Sequence, residues 1–87
     1  MIEISYAPSF MRQLKHFDSE LLDEVLEKVE LFKDASSYKV LKVHKLKGRL
    51  KGRYSFSVNY KTRIVFNHLN KKDQVVLLAV GDHDVYN

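Results

Sequence analysis

The spacing of hydrophobic and polar positions divides this chain into elements. Ile2, Ile4 and Tyr6 alternate with Glu3 and Ser5, the period of a half-buried strand. Pro8 stops it. Proline is tolerated in a helix's first turn, and Phe10, Leu14 and Phe17 follow at i, i+4 and i+7, so the spacing predicts a short amphipathic helix over residues 8–17. Asp18, Ser19 and Glu20 then supply a capping side chain and acids suited to the positive end of a second helix. Leu21, Leu22, Val25, Leu26, Val29 and Phe32 form its apolar face, with Glu20, Asp23, Glu24, Glu27, Lys28 and Glu30 opposite. The two helices read as a hairpin laid on a sheet.

After Asp34-Ala35-Ser36-Ser37 the period disappears, and residues 39–52 read mostly as loop. Alternation returns from Arg53: Tyr54, Phe56, Val58 and Tyr60 on one side, Arg53, Ser55, Ser57 and Asn59 on the other. This predicts a strand with one polar face. A turn at Tyr60-Lys61-Thr62 leads to a second strand, in which Arg63, Val65 and Asn67 alternate with Ile64, Phe66 and His68. After a turn at residues 70–73, the unbroken apolar run 75–80 reads as a strand that is central or covered on both faces, ended by Gly81. The order predicts an α+β fold: an N-terminal strand, a helical hairpin, then a three-stranded antiparallel sheet with the helices on one face. Residues 1–87 read as one domain, with neither repeat nor linker.

Charge changes this picture. Residues 35–72 hold eleven of the fifteen lysines and arginines and none of the acids, so this window carries about +11 while residues 1–34 carry about −4. Like charge packed into one segment costs stability, and a polyanionic partner offsets it. Nucleic acid is the first candidate, because a cation near a phosphate releases a condensed counterion. Lys45, Lys47, Arg49, Lys51, Arg53 and Lys61 are the candidate phosphate contacts. The chain has no cysteine, which removes disulfides and thiolate metal sites. No basic-then-apolar leader and no run of 18 apolar residues occurs, so the expected setting is the cytoplasm, without a membrane.

Four histidines are the candidate acids and bases. His16 on the first helix reads as a surface or helix-end residue, and His68 at a strand end takes the same reading. His44 lies in the basic segment and His83 just past the last strand, both beside cations or irregular chain. No histidine pair has a helical metal-ligand spacing, and no metal or cofactor is expected. Ser55 and Ser57 lack a glycine elbow and an identified base, which argues against a serine nucleophile. Arg63 is suited to bidentate phosphate binding from a rigid strand, or to pairing with a helix carboxylate. Tyr86 suits stacking on a base or plugging the sheet edge.

The pieces His44-Lys45-Leu46-Lys47-Gly48, Tyr54-Ser55-Phe56-Ser57-Val58, Thr62-Arg63-Ile64-Val65-Phe66 and Val80-Gly81-Asp82-His83-Asp84-Val85-Tyr86 resemble, in order and spacing, the RelE/ParE superfamily of small bacterial toxins. Within it, the chain looks like the branch of RelE- and YafQ-type ribosome-dependent messenger RNA endonucleases. The resemblance implies metal-independent cleavage, in which a ribose 2′-oxygen attacks the adjacent phosphate. It implies His44 as general base, His83 as general acid, Arg63 as electrostatic clamp, and Tyr86 as stacker or auxiliary acid. It also implies a cognate antitoxin as partner, the ribosome and mRNA as targets, and operator DNA as a site for the toxin–antitoxin complex. Relatives carry lysines or a histidine where this chain has Ser55 and Ser57. The same fold serves ParE-type inhibitors of DNA gyrase, and an inactive antitoxin-binding module is a third reading. Paired histidines favour the nuclease, because gyrase inhibition needs no acid and base.

Overall fold

In the computed structural model, which describes residues 1–48, 52–71 and 73–82, the alternating segments assemble into one five-stranded sheet. The strands are β1 (Glu3–Tyr6), β2 (His44–Lys45), β3 (Tyr54–Ser57), β4 (Arg63–His68) and β5 (Gln74–Gly81), in spatial order β1-β5-β4-β3-β2. The expected α+β architecture is present, but the antiparallel meander is widened at both margins. β1 pairs parallel to β5, and β2 pairs antiparallel to β3, inside the segment expected to be loop. The strand is short, and its exposed lysine leaves no apolar period to announce it. β5 is flanked on both sides, as its apolar run predicts.

The helices are α1 (Pro8–Leu14) and α2 (Ser19–Phe32). Pro8 opens α1, which ends three residues earlier than its apolar period suggests. Asp18 caps α2, its Oδ1 accepting the Leu21 N–H at 2.8 Å. Asp34 plays the same part for a 3-10 turn at Ala35–Ser37, and the Ser36 N–H it accepts holds its carboxyl below the ordinary range.

Helices and sheet meet on the face of Phe56, Val58, Ile64 and Phe66. Phe32 of α2 is fully buried there, with ring centroids 4.4 Å from Phe56, 4.8 Å from Phe66 and 5.3 Å from Tyr38. Truncating such a residue to alanine costs about 3–5 kcal/mol, a large share of the roughly 5–15 kcal/mol that holds a domain together. β5 carries a bulge: Val65 pairs with Ala79 but Phe66 with Leu77, leaving Leu78 as the extra residue. The bulge reverses which positions face the core, so Val75, Leu77 and Val80 are all buried in it. β1 stops opposite Leu77, and α1 covers the remaining margin of β5. There Ser9 Oγ donates to the Leu78 carbonyl at 2.5 Å, and Gln13 Oε1 accepts the Val80 N–H at 2.8 Å. Both groups would otherwise be unpaired at a sheet edge.

Candidate functional site

Of the predicted site residues, His44 and Arg63 lie on the sheet face away from the core. Register sets His44, Ser55, Val65 and Ala79 in one row across β2, β3, β4 and β5, and Ser57, Arg63 and Gly81 in the next. Strand spacing puts the His44 and Arg63 Cα atoms roughly 12 Å apart. Alternation predicts this face to be polar, and the structure shows that part of it is also covered. Ser55 and Val65 lie on it yet are 0% and 1% exposed, whereas Ser57 and Arg63 are half-buried.

His44 is exposed and held at both ring nitrogens. Its Nδ1 lies 2.9 Å from the Lys42 carbonyl, and its Nε2 lies 3.3 Å from Ser55 Oγ. A carbonyl only accepts, so Nδ1 carries the proton, and in the neutral ring Nε2 keeps its lone pair and accepts the Ser55 hydroxyl. Lys42 adopts φ +57°, the left-handed region that non-glycine residues rarely enter. This turn delivers its carbonyl to the imidazole. Ser55, set aside as a nucleophile on sequence grounds, is the partner of the candidate base.

Arg63 is anchored at the mouth of the β3–β4 turn. Its Nη1 donates to the Asn59 carbonyl at 2.6 Å and to the Thr62 carbonyl at 3.1 Å. Asn59 Oδ1 in turn accepts the N–H groups of Lys61 at 2.9 Å and Thr62 at 2.8 Å, while Asn59 Nδ2 donates to Glu24 Oε1 of α2 at 3.2 Å. β3 therefore ends at Ser57 rather than near Tyr60, because the asparagine closes the turn early. Among the described residues the ion pairs are Lys28–Glu27 and Lys33–Glu30, so the carboxylate pairing considered for Arg63 is not made there. Opposite Arg63 stands Gly81, two residues before His83 in sequence.

The predicted phosphate contacts do not share one surface. Lys45 pairs with Tyr54, whose ring packs on Phe66 and His68, so it alternates to the side opposite His44. With Leu46, Lys47, Gly48 and Gly52 these two residues line a cavity of about 470 Å³. Gly48 and Gly52 take φ +69° and +92° there, a conformation glycine adopts without strain. Arg53 and Lys61 are exposed, and Lys61 sits in the turn that holds Arg63. His83, Tyr86, Arg49 and Lys51 lie outside the described residues. His16 is exposed, whereas His68 is partly buried against Tyr54 and Phe66. Among the described residues no group of three or more His, Asp or Glu is arranged to hold a metal ion, and no helix is long and apolar enough to cross a membrane. Sequence reasoning missed Asn59 and Lys42. An asparagine beside a predicted turn was an available signal for the first; nothing in the local sequence announces a left-handed lysine.

No family model matches the chain, and no curated protein is similar enough in sequence to count as a match. Solved structures are similar over nearly the whole length. A YoeB/ParE toxin from Agrobacterium tumefaciens superposes with a TM-score of 0.76 at 14% identity, covering 94% of this chain and 99% of that one. The toxin–antitoxin complex RelBE2 from Mycobacterium tuberculosis gives 0.74 at 21% identity, covering 94% and 98%. YafQ from E. coli strain BL21(DE3) gives 0.66 at 19% identity, covering 98% and 97%. At such identities the likeness is one of fold, and the chain has the fold of the RelE/ParE toxin superfamily.

Proposed function

We propose that this chain is the toxin of a type II toxin–antitoxin system and cuts messenger RNA bound to the ribosome. The observation that carries the reading is the anchoring of Arg63. A guanidinium tied through Nη1 to two backbone carbonyls keeps its remaining donors in a fixed plane, which suits a phosphate better than a mobile surface cation would. His44, tethered through Nδ1 with its Nε2 lone pair retained, adds a base on the same sheet face. In the proposed reaction, His44 Nε2 gives up its hydrogen bond from Ser55 and takes the proton of a ribose 2′-hydroxyl. The 2′-oxygen attacks the adjacent phosphorus, and the bond to the 5′-oxygen breaks. His83 protonates that leaving oxygen, giving a 2′,3′-cyclic phosphate and a 5′-hydroxyl. Arg63 neutralises the charge that develops on the phosphorane, and Tyr86 stacks on a base or assists the acid. Side chains move every proton.

The proposed partners are an antitoxin with an acidic segment that folds on the basic window, the ribosome with its message, and operator DNA for the assembled pair. The proposed compartment is the cytoplasm. Induced expression of wild type, Arg63→Ala and His83→Ala, with mapping of message 5′ ends, tests the reading. Cuts at ribosome-occupied positions are expected with wild type and absent with both variants. Growth arrest with intact messages and damaged DNA would instead favour gyrase inhibition.

A further inference from the structure

The Arg63 side chain does not anchor itself. Its two acceptors are the carbonyls of Asn59 and Thr62, which converge only because the intervening turn is closed. Four contacts close it: Asn59 Oδ1 accepts from Lys61 N and Thr62 N, and the Thr62 carbonyl accepts the Val58 N–H at 2.9 Å and the Asn59 N–H at 3.4 Å. The amide end of Asn59 is used as well, since Nδ2 reaches Glu24 of α2. An aspartate would close the same turn but has no N–H to give to a carboxylate. The choice of asparagine thus ties the helical layer to the turn, and the turn to the guanidinium.

From this chain of contacts we infer that Asn59 is the positioning residue for Arg63, with Glu24 as its support from α2. The inference rests on the proposed role of Arg63 in phosphate binding only for its consequence in catalysis; the positioning is a property of the protein without substrate. A guanidinium held at Nη1 rotates slowly about its Cζ–N bonds. A freed one averages. Once freed, Arg63 would meet a phosphate from many orientations, and a misplacement of about 1 Å lowers the rate on the order of 100-fold.

The test has two arms. In nitrogen-15 spectra of the free protein, the Arg63 Nη protons are expected as separate signals in wild type and as one averaged signal in Asn59→Ala, with the cooperative melt kept in both. An averaged signal in wild type, or separate signals in Asn59→Ala, would overturn the positioning. If Asn59→Ala does not melt cooperatively, Glu24→Ala takes its place. That variant leaves the turn's own bonds intact and is expected to broaden the Arg63 signals, which Glu24→Gln restores; sharp signals in Glu24→Ala would overturn the inference. The second arm measures cleavage of ribosome-bound message. Asn59→Ala should lower cleavage on the order of 10-fold to 100-fold in the wild-type background and leave Arg63→Ala unchanged. An equal loss in both backgrounds would show that Asn59 acts by another route. Full cleavage by Arg63→Ala itself would sink the proposed nuclease role while the spectra still decide the positioning.

Discussion

Ser55 illustrates how a residue's chemistry depends on its neighbour across the sheet. As a serine on a strand it has no base beside it in sequence, and it reads as inert. Strand pairing sets it opposite His44, where its hydroxyl meets Nε2 at 3.3 Å while Nδ1 is fixed by Lys42. The proposed base is thus oriented by a buried serine and a strained lysine backbone. Ser55→Ala should lower message cleavage by about 10-fold, within the range of a misoriented general base, and cost at least roughly 0.5–1.5 kcal/mol of stability, the range for losing a hydrogen bond. Unaltered cleavage together with an unaltered melt would mean that His44 is not held for catalysis. At this scale the sequence was legible in residue type and illegible in partnership. His44 and Arg63 were recognisable as chemistry, but their anchors come from residues whose contacts only folding creates.

Elements were more readable, because burial imposes periodicity. The alternations of β1, β3 and β4 and the apolar stripe of α2 all mark real elements, since each must bury one face. The exceptions have physical causes. β2 is two residues long, and both are exposed, so no period exists to be read. The bulge at Leu78 is a shift between paired strands and leaves no trace in the apolar run it interrupts. The early end of α1 follows from what the helix does, since Ser9 and Gln13, one turn apart, serve the margin of β5 and the chain turns away afterwards. The segment after α2 gives a pH prediction. Tyr38 stacks on Phe32, and burial raises its phenol above the ordinary 10.0. A raised folded pKa means that Tyr38's contribution is intact below about pH 10 and is lost as pH rises through the folded value. Wild type should therefore lose more stability than Tyr38→Phe between about pH 8 and about pH 11. Urea midpoints at both ends measure it; parallel losses in the two proteins would contradict the stacked, buried placement.

Across the whole molecule, charge and fold act together. The acid-free window of residues 35–72 spans β2, β3 and β4 and the turns beside Arg63, while the acids of α2 lie in the opposite layer. A linear reading lumps the cations into one nucleic-acid surface. The sheet splits them by parity: Lys61 joins the turn of Arg63, whereas Lys45 faces the cavity on the core side. Removing a cation that touches phosphate lowers the salt slope of single-stranded RNA binding by about 0.7 per contact. Lys61→Ala should do so in a binding titration across salt concentrations, and Lys45→Ala should change the slope less. Equal effects would mean that RNA wraps both faces of the β2 margin.

In the proposed function, the row of Arg63 and the row of His44 form one RNA-cleaving face. Its most direct measurement is end-group analysis of a message on purified ribosomes, incubated with wild type, His44→Ala or Arg63→Ala. Fragments ending in 2′,3′-cyclic phosphate and 5′-hydroxyl are expected with wild type, and a loss on the order of 100-fold with either variant. Fragments of the same chemistry formed at the wild-type rate by both variants, with cooperative melts retained, would contradict it.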